Sequence, residues 1–251
     1  MKILLTNDDG YNAPGILALY ETLKPDHDIM LVAPDREKSA VSHGITLNKP
    51  MRVDKVNLSN GGAGYSITGT PADCVKLGLF KFYTSPPDLI ISGINPGSNT
   101  GVNINYSGTI GAAREASLNG ILGIAVSMFK KGNVLDFTGM SQFIAQIVNK
   151  IHGSSLPLGT FLNINAPGIT IDKIKGIKIT RQASYNLSRQ FEKRIDPRNK
   201  SYYWYGSIDK IKGEGNTDVN ALLENYISIT PIQCDMTDYN TMTQLESSQL
   251  L

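Results

Sequence analysis

The chain has 251 residues, of which 41% are hydrophobic and 18% charged, with a net charge of +2. Such a chain buries a full core, and no apolar run approaches the ~20 residues needed to span a bilayer, so neither disorder nor membrane spans are expected. Only two cysteines, Cys74 and Cys234, and an Ile3-Leu4-Leu5 stretch too short for the apolar core of a secretory signal point to reduced thiols and a cytoplasmic location.

Along the chain, "KILLTN" reads as a short strand, and "PGILALYETLK" carries helical periodicity with Pro14 suited to a first turn. "DIMLVAP" is a second buried strand ended by proline. "YSITGT" is another, leading into the helix-like "PADCVKLGLFKFY". "PDLIISG" reads as a strand, "GTIGAAREASLNG" as a helix ended by glycine and "ILGIAVSM" as a strand. "LDFTGMSQFIAQIVNKI" fits a longer amphipathic helix, and "FLNINAP" a further strand. Continuously apolar strands are covered on both faces, so the fold class is α/β: a Rossmann-like, doubly wound, mostly parallel sheet spanning residues 1–170.

After about residue 170 the rhythm changes. "IKGIKITRQ" and "NYISITPIQ" alternate like half-exposed strands. Between them, "SYNLSRQFEKRIDPRNKSYYWYGS" is polar, basic and aromatic and reads as an extended hairpin arm. "TDYNTMTQLESSQLL" is expected to be a short helix that caps a partner. Residues 173–212 hold eleven Lys/Arg against three Asp/Glu, leaving thirteen against nineteen elsewhere. A basic arm on an acidic body admits a polyanionic partner, but a solvated or oligomer-forming arm is the preferred reading.

The chemistry is concentrated after the strands. Asn7-Asp8-Asp9-Gly10 follows the first, "APDREKSAVSHGIT" with Ser39 the second, and "INPGSNTGVNINYSGT" follows "PDLIISG". Parallel strands bring all three loops to one edge of the sheet, where doubly wound folds bind ligands. Adjacent carboxylates, a hydroxyl and side-chain carbonyls are hard oxygen donors suited to Mg²⁺, Mn²⁺ or Ca²⁺, and a cation relieves the Asp8–Asp9 repulsion. His27, His43 and His152 lack zinc-site spacing. "YSGT" before a helix offers backbone N–H groups, with the Ser107 and Thr109 hydroxyls, as a phosphate seat. A cation beside an anion seat points to phosphoryl hydrolysis. His43 is as well explained by bracing its loop as by touching substrate, and Cys74 is most simply core.

The blocks "ILLTNDDGYNAPGI", "VAPDREKSAVSHGITL", "GTPADCVKLGL" and "DLIISGINPGSNTGVNINYSGTIGAAREA", in this order, resemble the signatures of the SurE (survival protein E) family of 5′-nucleotidases. "YISITPIQCDMTDY" is similar to that family's C-terminal segment. The resemblance implies a metal-dependent phosphatase acting on nucleoside 5′-monophosphates, with 3′-nucleotides and short polyphosphate as further substrates. It implies one divalent ion per subunit, held by Asp8, Asp9, Ser39 and Asn95. Asn12 would join Asp8 and Asp9 in catalysis, and Asn95, Ser107, Gly108 and Thr109 would line the phosphate pocket. It further implies a dimer or tetramer built through the C-terminal arm and a swapped tail, rather than nucleic-acid binding. Gln233 stands where some members carry histidine, and alanine follows Glu115 where glycine is common.

Three rival readings are a metal-binding signalling module, a Ca²⁺-dependent nucleoside hydrolase and a nucleic-acid-binding arm. The first needs a phosphoacceptor aspartate on a later strand, and "ISGIN" has none. The second releases free base rather than phosphate. The third predicts salt-dependent binding through residues 185–212.

Overall fold

The computed structural model describes residues 1–129, 135–151, 156–184, 191–205 and 215–248. The strands β1 (Lys2–Thr6), β2 (Asp28–Pro34), β3 (Val53–Asn57), β4 (Ala63–Ile67), β5 (Leu89–Asn95), β6 (Leu122–Phe129), β7 (Thr160–Pro167), β8 (Ile177–Ile179) and β11 (Ile227–Gln233) form one sheet in the order β3-β4-β2-β1-β5-β6-β7-β11-β8. From β4 to β7 every neighbouring pair is parallel. β3 and β11 run antiparallel to β4 and β7. The expected parallel α/β sheet is therefore present. Two of its strands, β8 and β11, come from beyond residue 170.

Helices α1 (Pro14–Leu23) and α4 (Phe137–Ile151) cover one face, and α2 (Pro71–Leu77) and α3 (Gly108–Leu118) the other. The two-residue period of a strand sends Ile3 and Leu5 to the first face, with Ile16, Leu19, Ile144 and Val148. Leu4 goes to the second, with Val32, Cys74, Val75, Ile90 and Ala112. Cys74 is fully buried, as its sequence context suggests.

Helices α1 and α2 start where their sequence signals. Pro14 and Pro71 occupy first turns. Thr70 and Asp73 form a reciprocal cap, Thr70 N donating to Asp73 Oδ2 at 2.9 Å and Asp73 N to Thr70 Oγ1 at 3.2 Å. Such a cap contributes about 1 kcal/mol. The helix expected over "PADCVKLGLFKFY" is α-helical only to Leu77 and ends in a single π turn, Gly78–Phe82.

β9 (Phe191–Ile195) and β10 (Ser201–Tyr205) form a separate antiparallel hairpin with every residue exposed. Its turn is held by Asp196, whose Oδ1 accepts from Arg198 N at 2.9 Å and Lys200 N at 2.8 Å. α5 (Asp218–Leu223) precedes β11, and α6 (Tyr239–Ser247) follows it with no buried residue. Among the described residues, no helix is long and apolar enough to cross a membrane.

One close approach sets the height of α1 over the sheet. A Cβ at Gly15 would lie 2.1 Å from the Ile94 carbonyl oxygen, so the first turn of α1 rests directly on the backbone of β5. Gly15→Ala should therefore destabilise the fold by about 2–3 kcal/mol, since backbone rather than a side chain must move. Denaturant melts check this, and an unchanged midpoint would contradict the packing.

Candidate active site

The chain leaves β1 for β2 on one side and later returns to β5 on the other, so the sheet reverses direction of growth between β1 and β5. Loops from the ends of such strands diverge and leave a crevice. Asn7-Asp8-Asp9 lies at the end of β1, the Ser39 loop follows β2, and Asn95 closes β5.

Asn7 is fully buried and shapes the turn. Its Nδ2 donates to the Gly10 carbonyl at 2.9 Å and its Oδ1 accepts from Gly10 N at 3.1 Å. Asp8 is thereby directed inward, 6% exposed, where its Oδ1 accepts from the Thr109 hydroxyl at 2.6 Å. Lys38 N, next to Ser39, donates to the Asp8 carbonyl at 2.6 Å, fixing the second loop to the first. The start of α3 abuts the same carboxylate. A Cβ at Gly108 would come within 3.0 Å of Asp8 Cβ and 3.1 Å of Asp8 Oδ2, so only glycine allows this contact undistorted.

The electrostatics follow from burial. Burial pushes the Asp8 carboxyl above its ordinary value, against the hydroxyl and backbone hydrogen bonds of Thr109. Asp9 is pushed up to about 7 by burial first, then by the charges of Asp8 and Glu37. Its Oδ2 is buried and lacks a hydrogen-bond partner. An orphaned buried carboxylate oxygen beside a second carboxylate is the position a hard cation satisfies. Among the described residues no three His, Cys, Asp or Glu side chains gather to hold a metal. A cation here would have to be completed by neutral oxygens, and hydroxyl and amide groups on the neighbouring loops are donors that suit Mg²⁺, Mn²⁺ or Ca²⁺.

The remaining residues singled out from the sequence are placed unequally. Ser39 is exposed and its hydroxyl donates to Glu37 Oε1. Asn95 Nδ2 donates to the Gly97 carbonyl at 2.6 Å. Ser107 caps α3, its Oγ accepting from Ile110 N at 3.2 Å. Thr109 is fully buried and gives both its hydroxyl and its backbone N–H to Asp8; with Ile110 N bound to Ser107 Oγ and Gly111 N to the Ser107 carbonyl, Gly108 N–H is the donor this turn has left. Asn12 turns aside: its Oδ1 accepts from Ser59 N at 2.9 Å, and the cap of α1 is Ala13. Glu37 accepts the Ser39 hydroxyl and adds its charge to Asp9; an acid two residues before Ser39 is its only signal in the sequence.

A family model described as Survival protein SurE matches residues 3–189. The chain belongs to the SurE family. It is 48% identical to 5′-nucleotidase SurE of Desulfatibacillum aliphaticivorans, over 98% of this chain and 97% of that protein. To 5′-nucleotidase SurE of Thermoanaerobacter sp. (strain X514) it is 45% identical, over 98% of both. The crystal structure of the SurE protein from Aquifex aeolicus matches with a TM-score of 0.85 at 39% identity, covering 98% of this chain and 99% of that one.

A second polar cluster braces the Ser39 loop of this SurE-family chain. Glu115 on α3 is buried; its Oε2 lies 2.8 Å from His43 Nε2, and its Oε1 accepts from Lys76 Nζ at 2.7 Å and Asn119 Nδ2 at 2.9 Å. Burial pushes this carboxyl up, but the hydrogen bonds from His43, Lys76 and Asn119 together outweigh it and hold it at about 2, against an ordinary 4.5. A depressed folded-state value adds stability that is present above pH ~4.5 and lost as pH falls toward ~2, at most about 3 kcal/mol. Glu115→Gln should therefore lower stability at pH 7 and flatten the loss between these pH values. Urea melts across that window test it, and an acid limb as steep as the parent's would refute it.

Proposed function

We propose that this chain is a 5′-nucleotidase that hydrolyses nucleoside 5′-monophosphates to nucleoside and phosphate with the aid of a divalent cation. The observation that carries the reading is the buried, unpartnered Asp9 oxygen beside Asp8 at the β1/β5 crevice. Near full-length similarity to proteins named 5′-nucleotidase SurE supports the activity. 3′-Nucleotides and short polyphosphate are further substrates under this proposal.

A phosphomonoester dianion is repelled by two bare carboxylates, so the site needs a positive charge between them. Asp8, Asp9, Ser39 and Asn95 would hold that cation, which when bound neutralises phosphoryl charge and acidifies water. The Gly108 N–H, at the positive end of the α3 dipole, would face the phosphate oxygens. Thr109 keeps Asp8 oriented through the 2.6 Å hydrogen bond. Because Asp8 Oδ1 already accepts that bond, the Asp9 oxygen outside the cation's reach is the better acceptor for the attacking water's proton. The same engagement of Asp8 favours direct water attack over a phosphoenzyme on Asp8.

The exposed aromatic hairpin supports self-association as a dimer or tetramer, with Trp204 59% and Tyr205 80% exposed. Large exposed aromatic side chains are interface material. The bare surface of α6 is consistent with a tail that docks on a partner.

Asp8→Asn and Asp9→Asn should each lower phosphate release from AMP by several orders of magnitude while keeping the melting temperature. Chelation should abolish release and added Mg²⁺ or Mn²⁺ restore it. Full activity in metal-free protein, or free base as product, would overturn the reading. For assembly, Trp204→Ser with Tyr205→Ser should lower the mass seen by sedimentation, and an unchanged oligomer would exclude the hairpin as the contact.

A further inference from the structure

The loop between Asn95 and Ser107 is held from three directions, and one of them has no part in the chemistry above. Toward the sheet, Asn99 is buried. Its backbone N donates to Asn165 Oδ1 at 2.8 Å and its Nδ2 to Ser127 Oγ at 2.8 Å. Its carbonyl accepts from Asn163 Nδ2 at 2.8 Å and Asn165 Nδ2 at 3.2 Å. Toward the Ser39 loop, Ser42 N donates to the Tyr106 carbonyl at 2.9 Å and Ser42 Oγ to the Asn105 carbonyl at 2.6 Å. The third attachment is to the two segments that flank the hairpin in sequence, residues 181–183 before it and 216–219 after it.

Asp218 is fully buried, at the start of α5. Its Oδ2 accepts from Gly101 N at 2.8 Å, while its Oδ1 accepts from Ala183 N at 3.0 Å and from its neighbour Val219 N at 2.8 Å. Gln182 Nε2 donates to the Gly101 carbonyl at 2.8 Å. Both backbone polar groups of Gly101 are thus gripped by side chains from the base of the arm. The two flanking segments are also tied to each other: Arg181 N donates to the Asn216 carbonyl at 3.1 Å and Asp218 N to the Arg181 carbonyl at 3.0 Å. Burying a whole carboxylate costs more than burying a neutral amide, so its use to grip one loop glycine calls for a return beyond packing.

We propose that Asp218, seconded by Gln182, is a positioning residue for the phosphatase reaction, holding the Asn95–Ser107 loop in register from the base of the arm. The inference rests on the 5′-nucleotidase reading. Asp218 touches neither substrate nor cation; it acts through Gly101 on a loop whose ends carry Asn95 and the first turn of α3. Small displacements of such groups are felt mainly in turnover. It also makes the catalytic loop sensitive to the arm's base, so that whatever seats the arm acts on the site.

Asp218→Asn tests this selectively. The amide keeps an oxygen for Ala183 and Val219 but sets an NH₂ against Gly101 N–H. In the full-length protein, phosphate release from AMP with Mg²⁺ or Mn²⁺ should show kcat lowered about tenfold or more and KM changed far less. The melting temperature should stay within a few degrees. Hydrogen exchange should quicken at residues 99–106 and not in β1 or β5. Parental kinetics in the folded variant would overturn the proposal. So would a loss of kcat with faster exchange throughout the chain, which marks ordinary destabilisation. If Asp218→Asn does not fold, Gln182→Ala decides: it frees only the Gly101 carbonyl and should lower kcat in the same direction by a smaller factor, and parental kinetics would sink the idea. A parent protein that releases no phosphate from any nucleotide rejects the nucleotidase reading instead, a result distinct from these.

Discussion

Setting Asp8 and Asp9 side by side at the buried end of β1 places charge repulsion and lost hydration on the same few atoms, and the surrounding structure is organised around bearing both. Asn7 closes the turn that fixes their direction. The α3 terminus and the Thr109 hydroxyl answer Asp8, while Asp9 keeps an oxygen unanswered. A parallel sheet suits this task. Its strand ends gather several loops at one edge, and its two covered faces supply a stiff apolar support beneath them. The cost at the edge is tolerated because the layers under it, from Ile3 and Leu5 to Ile144 and Val148, are apolar and fully buried.

The loops above that support are fastened with different chemistry according to depth. Beneath the Asn95 loop the fasteners are neutral amides, Asn99, Asn163 and Asn165, which both donate and accept without adding charge near a site already rich in it. Around the Ser39 loop the fastener is charged, Glu115 with His43 and Lys76, and it lies where Lys76 is partly exposed. At the base of the arm it is a buried carboxylate satisfied wholly by backbone donors. Amides beside the crevice add no further charge to Asp8, Asp9 and Glu37, which already act on one another there.

Much of the fold was legible because its signals are local. Pro14 and Pro71 mark helix starts, and "DIMLVAP" and "PDLIISG" are too continuously apolar for anything but doubly covered strands. β3 escaped because "VDKVN" is an edge strand with exposed charges, and nothing in five such residues separates it from a loop. α5 escaped for its shortness. In the candidate site, the adjacency of Asp8 and Asp9 is plain in the sequence. The hydrogen-bond partners of Thr109 and Asn12 are not, because which way a hydroxyl or amide turns is decided by partners 101 and 47 residues away. The Asn163–Asn165 pair reads in sequence as the polar half of an alternating strand. Only the tertiary contact with Asn99 turns it into a fastener.

The two margins of the large sheet carry a consequence for how copies of this chain can meet. β3 exposes Asp54 and Lys55 at one margin, and β8 at the other offers three residues, with Lys178 paired to Glu224. Short or charged margins do not template further strands, so lateral growth of the sheet into a fibre is blocked at both sides. Association of copies, as proposed above, would then fall to exposed side-chain surfaces such as Phe191, Tyr203 and Trp204, which can be satisfied once and then closed. Resistance to edge-to-edge stacking and a preference for contacts that close would, in this molecule, both follow from the same pair of poor edges.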